Sequence, residues 1–323
     1  MKKKKKILAS IILMLLMIFS ITGCGQKNRM MLGTGGTAGT YYAYGGVLAQ
    51  YMRTNADIKV TAVSTGGSKA NIQSIGDGDF QLGFTQSDVM TYAWMGNRAF
   101  EKDGPTRDIR VLGYLYAETV QLFTMDEEIN SVSDLKGKSV SIGAAGSGVY
   151  FNALDVLNAA GLTIDDISPQ YQSFEDSKEA LKDGKIDAAF IVAGAPTTAI
   201  TELATTNSVK LINIDGETRT KIMESCPYYA KYTIPAGTYP KQEEDIETIA
   251  VGAMLVVDAD LSEEEVYKIT AAIFEHAEEI AQENSKGKEL SLFNATSVNT
   301  VPYHKGAARY YEEHGIIVNT EDE

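Results

Sequence analysis

The sequence predicts an α/β protein of two lobes, in which each lobe has a mostly parallel sheet flanked by helices. Short β-rich segments alternate with segments of helical periodicity through most of the chain. Two long extended runs, "VLGYLYAETVQLFTM" (111–125) and "TIAVGAMLVV" (248–257), flank one of these α/β units. A chain that crosses from one lobe to another and back needs two such connections, which would form a hinge.

The elements follow in order along the first half of the chain. Apolar residues spaced as one face of a helix follow a glycine-rich loop; they are Tyr44, Val47, Leu48, Tyr51 and Met52. The strand "IKVTAVST" comes next, and a short helix is predicted from Ser68. The strand "FQLGFTQ" then leads into a helix through "SDVMTYAWM".

The same alternation continues beyond the first extended run. "GKSVSIG" leads into a helix over 149–160, "IDAAFIVAG" leads into a helix through "TTAITELA", and "VKLINID" is a further strand. The last third is mainly helical, and Ser262 and Glu265 have the spacing of a capping box. We predict that 24–118 and 247–323 form one lobe and that 119–246 form the other.

The N-terminal segment has the composition of an export signal. Five lysines precede an apolar stretch over 7–19, which is short for a membrane span. Ile21-Thr22-Gly23-Cys24 resembles the bacterial lipobox, which predicts cleavage of a signal peptide over 1–23 and acylation of Cys24, for example by palmitate. The mature chain is therefore expected outside the cytoplasm, anchored to the outer face of the cell membrane.

Composition narrows the classes of partner. The formal charge is −14, and removal of the five signal-peptide lysines would make it −19. Such a chain repels nucleic acid and anionic lipid, so the acyl anchor would be its only attachment to the membrane. Cys226 is the only other cysteine, and the three histidines form no metal-ligand pattern, so we expect neither an intramolecular disulfide nor a metal site.

Five predicted strand-to-helix junctions are rich in glycine and hydroxyl residues. They are "GTGGTAGTY" (33–41), "STGGS" (64–68), "TQSD" (85–88), "GAAGSG" (143–148) and "AGAPTT" (193–198). Such junctions lie at the carboxyl ends of parallel strands, where free N–H groups at helix starts favour an anion. Any one junction taken singly could be turn and capping chemistry only. Together they predict a ligand cleft between the lobes.

Cofactor and catalytic interpretations fit these segments less well. Gly33, Gly35 and Ala38 satisfy a dinucleotide-binding pattern, but the second strand ends in Ser64-Thr65 where that fold places an acid. Ser133 begins an S-x-x-K motif whose companion motifs are absent, and Ser147 lacks the glycines of a nucleophile elbow. We therefore expect no cofactor and no catalytic residue, with an extracytoplasmic serine hydrolase as the weaker alternative.

Six segments in this order resemble the TAXI family of TRAP transporter solute receptors: "GTGGTAGTYYAYGG", "STGGS", "FTQSD", "DLKGKSVSIGAAGSGVYFNALDVL", "GKIDAAFIVAGAPTTAI" and "PYHKGAARYYEEHG". The resemblance implies a two-lobe periplasmic-binding-protein fold of the type with two crossovers (type II-like). It also implies capture of glutamate, glutamine or a related small carboxylate, and delivery to the subunits of a sodium-coupled TRAP permease. The receptor would act as a monomer. A sensory protein that signals to a membrane partner is the alternative.

Carried over by position, the resemblance implies a ligand-facing set drawn from all five junctions. It consists of Gly35, Gly36, Thr37, Gly39, Thr40, Tyr41, Ser64, Gly67, Ser68, Gln86, Ser87, Asp88, Gly146, Ser147, Gly148, Gly194, Pro196 and Thr197. Asp88 could pair with an amino group or serve the start of its own helix. Tyr41 or Tyr42 is expected to line the cleft. No arginine lies in any junction, which favours a mono-anionic or zwitterionic ligand over a dicarboxylate.

Overall fold

The computed structural model describes residues 29–322, so the predicted signal peptide and Cys24 lie outside the described residues. One lobe contains β1 (Arg29–Gly33), α1 (Thr40–Ala56), β2 (Lys59–Val63), α2 (Ser68–Gly76), β3 (Leu82–Gln86) and α3 (Ser87–Met95). The strand β4 (Ile109–Thr124) then leaves this lobe for the other. The predicted starts of α2 and α3 are confirmed.

The other lobe holds the middle of the chain. Its elements are β5 (Ser139–Ser141), α4 (Val149–Ala159), β6 (Ser168–Gln170), α5 (Phe174–Lys182), β7 (Ala188–Ala193), α6 (Thr198–Thr206), β8 (Lys210–Ile212), α7 (Gly216–Ser225) and β9 (Ala230–Ile234). The strand β10 (Ile246–Asp258) returns to the first lobe, where α8 (Glu263–Phe274), α9 (Ala277–Glu283), α10 (Leu292–Ala295) and α11 (Lys305–Glu313) complete the chain. The predicted capping box of Ser262 and Glu265 opens α8.

The strands form one continuous mixed sheet in the order β2-β1-β3-β10-β4-β7-β5-β6, with β8 beside β4 and β9 beside β10. β1 is parallel to β2 and β3, and β5 is parallel to β6 and β7, as the alternating pattern predicts. β4 and β10 are antiparallel to each other and to their neighbours. These two long strands therefore join the two parallel halves.

Each of the two long strands contributes residues to the hydrophobic cores of both lobes. Residues of β4 up to Tyr116 and of β10 from Ala253 pack in the core of the first lobe, whereas Val120 and Val251 pack in the second. In the second lobe, Ala188, Phe190 and Val192 face one core, while alternate β7 residues face another core on the opposite side of the sheet. The segment between Tyr116 and Val120 thus lies at the junction of the lobes. The residue boundaries predicted for the lobes remain a prediction.

The lobes contact each other directly. The Thr40 hydroxyl of the first lobe donates to the Gly194 carbonyl of the second at 3.0 Å, and the Ala199 N–H donates to the Ala38 carbonyl at 3.3 Å. The Gln86 amide donates to Asn152 Oδ1 at 3.0 Å. Contacts of this kind exist only when the lobes are close together, so the structure is a closed arrangement.

Candidate ligand site between the lobes

A cavity lies between the lobes and encloses about 590 Å³, part of which is open to solvent. Both lobes line it. The lining residues are Gly35, Gly36, Gly39, Thr40, Tyr41, Thr65, Gly66, Gly67, Ser68, Gln86, Glu118, Ala144, Ser147, Gly148, Val149, Ser173, Phe174, Val192 and Ala193.

Two helices, one from each lobe, begin at the cavity without a side-chain cap. Gly39 is the N-cap of α1 and Gly148 is the N-cap of α4, and neither position supplies a capping side chain. The first N–H groups of a helix have no partner within the helix, and the helix dipole adds partial positive charge there. The two starts therefore offer donors to the acid group of a ligand.

A third helix start is occupied by the opposite lobe. The Gly146 carbonyl accepts hydrogen bonds from the backbone N–H groups of Lys69, at 3.1 Å, and Ala70, at 3.3 Å, in the first turn of α2. Gly146 has a positive φ of 83°, a conformation that glycine adopts without strain. The start of α2 is thus capped by closure of the lobes and is not free for a ligand.

Glu118 is the only acidic side chain in the cavity lining of the described residues. It lies in the junction segment of β4, opposite Val251 of β10, and is 2% exposed. The Tyr41 hydroxyl donates to Glu118 Oε2 at 2.5 Å. Burial raises the pKa of Glu118 to about 8, although the Tyr41 hydrogen bond acts in the opposite direction.

A polar network connects the lobes beside the cavity. Asn152 of the second lobe donates from Nδ2 to Asp88 Oδ2 at 2.9 Å and to the Tyr229 hydroxyl at 2.7 Å. Gln86 Oε1 and Asp88 Oδ1 are buried without a hydrogen-bond partner. Burial raises the pKa of Asp88 to about 6. The network joins α3 to α4 and depends on the closed arrangement.

The structure places ten of the eighteen predicted site residues in the cavity lining. They are Gly35, Gly36, Gly39, Thr40, Tyr41, Gly67, Ser68, Gln86, Ser147 and Gly148. Of the two tyrosines considered, Tyr41 lines the cavity, whereas Tyr42 is 39% exposed. These ten come from four of the five predicted junctions, and Ala193 of the fifth also lines the cavity, so the structure brings residues of all five junctions together.

The other eight predicted residues lie outside the lining: Thr37, Ser64, Ser87, Asp88, Gly146, Gly194, Pro196 and Thr197. Several have contacts within the protein that account for their position. The Ser87 hydroxyl accepts from the Gly252 N–H at 3.0 Å, and the Thr197 N–H donates to the Tyr239 hydroxyl at 2.9 Å. Asp88 Oδ2 accepts from Asn152 Nδ2 at 2.9 Å.

Nine lining residues were not predicted: Thr65, Gly66, Glu118, Ala144, Val149, Ser173, Phe174, Val192 and Ala193. Four of them, Thr65, Gly66, Val149 and Ala193, directly adjoin predicted positions. Ser173 and Phe174 come from the start of α5, where the Ser173 hydroxyl accepts from the Asp176 N–H. The signal for Glu118 was a single acid inside an otherwise uncharged β run.

The side chains of Ser147 and His304 have structural partners within the protein. The Ser147 hydroxyl donates to the Ala144 carbonyl at 2.7 Å, not to a base. His304 caps α11 by accepting from the Gly306 N–H at 3.1 Å, and burial lowers its pKa. Among residues 29–322, no group of three His, Cys, Asp or Glu side chains is placed to hold a metal ion. No helix within that range is long and apolar enough to cross a membrane.

The two lobes, the two long connecting strands and the interlobe cavity define the fold of the periplasmic solute-binding proteins. The chain belongs to the NMT1-like family, whose model matches residues 32–315. The match covers most of the chain, including both lobes and all the cavity-lining residues.

Solved structures show the same fold. The alkanesulfonate-binding protein SsuA from Xanthomonas axonopodis pv. citri, bound to MOPS, has a TM-score of 0.51 and 17% identity, with 90% of this chain and 85% of that chain covered. The substrate-binding protein of an amino acid ABC transporter has a TM-score of 0.50 and 10% identity, with 81% and 98% covered. At these identities the likeness shows the fold alone.

Proposed function

We propose that the protein is an extracytoplasmic receptor that binds a small carboxylate, specifically an amino acid such as glutamate or glutamine, in the interlobe cavity. The observation that carries the proposal is the pair of uncapped helix starts, at Gly39 and Gly148, which face one cavity from opposite lobes. A ligand that bridges them binds the closed arrangement better than an open one. Its binding therefore drives closure of the lobes.

The proposal is one of binding rather than catalysis. The cavity-lining hydroxyl of Ser147 is bonded to a carbonyl, and the part of the lining formed by residues 29–322 contains no histidine, lysine or arginine. The solved structures of the same fold named above include binding proteins for an alkanesulfonate and for the substrate of an amino acid transporter. An anion held by backbone N–H groups is compatible with both kinds of ligand.

Delivery to a TRAP permease and attachment through an acylated Cys24 complete the proposal. They are supported by the resemblance of six sequence segments to the TAXI receptors and by the lipobox-like sequence that ends at Cys24. Mass spectrometry of the N-terminal peptide tests the anchor, and Cys24→Ser is expected to release the chain from membranes. Sodium-dependent uptake in vesicles that contain the chain and a TRAP permease tests the partner. Uptake unchanged by omission of the chain contradicts it.

A thermal unfolding screen tests the ligand class. The full-length chain in mild detergent, refolded to remove bound solute, is heated with single amino acids and with small organic acids. A ligand at 1,000 times its dissociation constant stabilises the folded state by about 4 kcal/mol, so the midpoint rises measurably. We expect a rise with at least one amino acid. A folded chain that responds to no compound in either set contradicts the proposal.

A further inference from the structure

We propose that Glu118 determines the specificity of the cavity by receiving a positively charged amino group, so that the ligand carries an amine as well as an acid. The inference rests on the proposed function and narrows its ligand class. It predicts preference for an amino acid over the same acid without its amino group.

The hydrogen bonds of Glu118 leave one oxygen for a ligand. Oε2 accepts from the Tyr41 hydroxyl, whereas Oε1 receives no hydrogen bond from any residue in the range 29–322. Glu118 forms no ion pair within that range, because Lys286, the nearby buried cation, is bonded to Glu289 Oε1 at 2.7 Å. Buried carboxylates in proteins are paired with donors or cations. The free oxygen therefore points to a partner from outside the chain.

Gln86 adds a second acceptor to the same lining. Its Nε2 is used by Asn152, and its Oε1 is buried without a donor. An ammonium group has three N–H donors and one positive charge, so it supplies what both oxygens lack. A carboxylate in place of the amine supplies neither a donor nor a positive charge. The uncapped starts of α1 and α4 remain for the acid group of the ligand.

The charge state of Glu118 determines whether the affinity for the ligand rises or falls as the pH increases. The groups that act on it are Tyr41 on α1, Asp88 on α3 and Lys286 on the short helix Ser285–Glu289. Burial is the largest influence and raises the pKa of Glu118 to about 8, so the empty cavity holds a protonated carboxyl at neutral pH. An ammonium group lowers that pKa, and a proton is released on binding. Affinity for an amine-bearing ligand therefore rises between about pH 6 and pH 8. An amine-free diacid would raise that pKa instead, so its affinity would change little below about pH 8 and fall above it.

Titration calorimetry with matched ligand pairs tests the inference. The full-length chain in mild detergent is titrated with L-glutamate and glutarate, and with L-glutamine and 4-carbamoylbutanoate, at several pH values. For the wild type we expect the amine-bearing member of at least one pair to bind about tenfold or more tightly, which corresponds to about 1.4 kcal/mol. We also expect proton release, seen as a heat that depends on the buffer.

Glu118→Gln is expected to remove the preference, the proton release and the pH dependence together. Glutamine is close in shape to a protonated glutamate, so the variant is expected to fold, and its unfolding midpoint without ligand checks this. Glu312→Gln, at an exposed site on α11, is the matched control. Tyr41→Phe provides a second variant: loss of its hydrogen bond raises the pKa of Glu118, so the affinity midpoint is expected to move to higher pH.

The outcomes separate this inference from the proposed function. If the wild type binds glutarate as well as glutamate, or if Glu118→Gln keeps the preference, the role of Glu118 is overturned while the receptor proposal stands. If the folded wild type binds no acid with or without an amine, the proposed ligand class itself is wrong, and the inference falls with it.

Discussion

Arg98 of the first lobe and Asp155 of the second form a two-point ion pair across the lobe interface. The Nη2–Oδ1 and Nη1–Oδ2 distances are 2.7 and 3.2 Å. The guanidinium also lies over the rings of Tyr92, in its own lobe, and Phe151, in the other. The planar fork of arginine suits this combination, which a lysine does not reproduce. The pair is formed only in the closed arrangement.

Arg98→Ala is therefore expected to weaken closure. The pair is partly exposed, with 32% of the Arg98 side chain accessible, so its contribution is at most about 1 kcal/mol. Ligand affinity should fall about fivefold, measured by calorimetry with a ligand that the thermal screen identifies. Lys221→Ala, which breaks an ion pair within α7, is the control. An affinity equal to that of the control means that the pair does not stabilise closure.

Gly148→Ala is expected to obstruct closure without disturbing either lobe. A Cβ atom on Gly148 would lie 1.4 Å from Gln86 Oε1 and 2.8 Å from a methyl group of Val89, both in the opposite lobe. The backbone of Gly148, with φ of −76°, accepts alanine without strain. Affinity should therefore fall by about tenfold or more, whereas the unfolding free energy without ligand should change by less than about 1 kcal/mol.

Gly46→Ala is the matched control, because a Cβ at that helical position meets no atom within 4 Å. Small-angle scattering measures the closure directly. A Gly148→Ala chain as compact as the control in the presence of ligand would show that the contact with Gln86 does not limit closure.

The parts of the fold that local pattern determines could be predicted from the sequence. The starts of α2 at Ser68 and of α3 at Ser87 follow from glycine and hydroxyl residues placed before apolar periodicity. The long runs that became β4 and β10 carry unbroken β-forming residues. In contrast, α5 (Phe174–Lys182) was missed, because it is short and mostly polar, although its start lines the cavity.

The candidate site could be predicted only in part, because contacts between lobes have no local signal. Residues of all five predicted junctions line the cavity, but nothing near Gly146 in the sequence shows that its carbonyl caps α2 in the other lobe. The position of Glu118 at the junction of the lobes depends on the pairing of β4 with β10, which are more than a hundred residues apart in the chain. Asp88 was predicted either to pair with an amino group or to serve the start of its own helix, and its Oδ2 accepts a hydrogen bond from Asn152 of the other lobe.

Asn71 is expected to be essential for the shape of the first-lobe loops. It is fully buried in α2, and its amide donates to the carbonyls of Thr34, at 2.6 Å, and Phe84, at 2.8 Å, while its oxygen accepts from the Thr65 hydroxyl at 2.7 Å. Asn71→Leu leaves these groups without partners, each at a cost of about 1–3 kcal/mol. The unfolding free energy should fall by about 3 kcal/mol or more.

Urea unfolding measures this loss, and Gln73→Ala, at an exposed position on the same helix, is the control. A loss for Asn71→Leu no larger than that for the control would contradict the assigned role. Because Thr65 lines the cavity, a folded Asn71→Leu chain should also bind ligand less tightly.

Asp88 is expected to make the protein less stable as the pH rises. Its pKa is raised from 3.8 to about 6 in the folded protein, chiefly by burial, so the folded state binds more protons than the unfolded state between these values. Stability therefore falls as the pH increases through this window, and the penalty is complete above about pH 6. Asp88→Asn removes the charge and keeps an oxygen that can accept from Asn152. The variant should gain stability relative to wild type between about pH 4 and pH 7, by on the order of 1 kcal/mol.

Urea unfolding at several pH values measures the difference, with Asp79→Asn at an exposed site as the control. A difference between Asp88→Asn and wild type that does not change with pH would mean that Asp88 keeps an ordinary pKa in the folded protein.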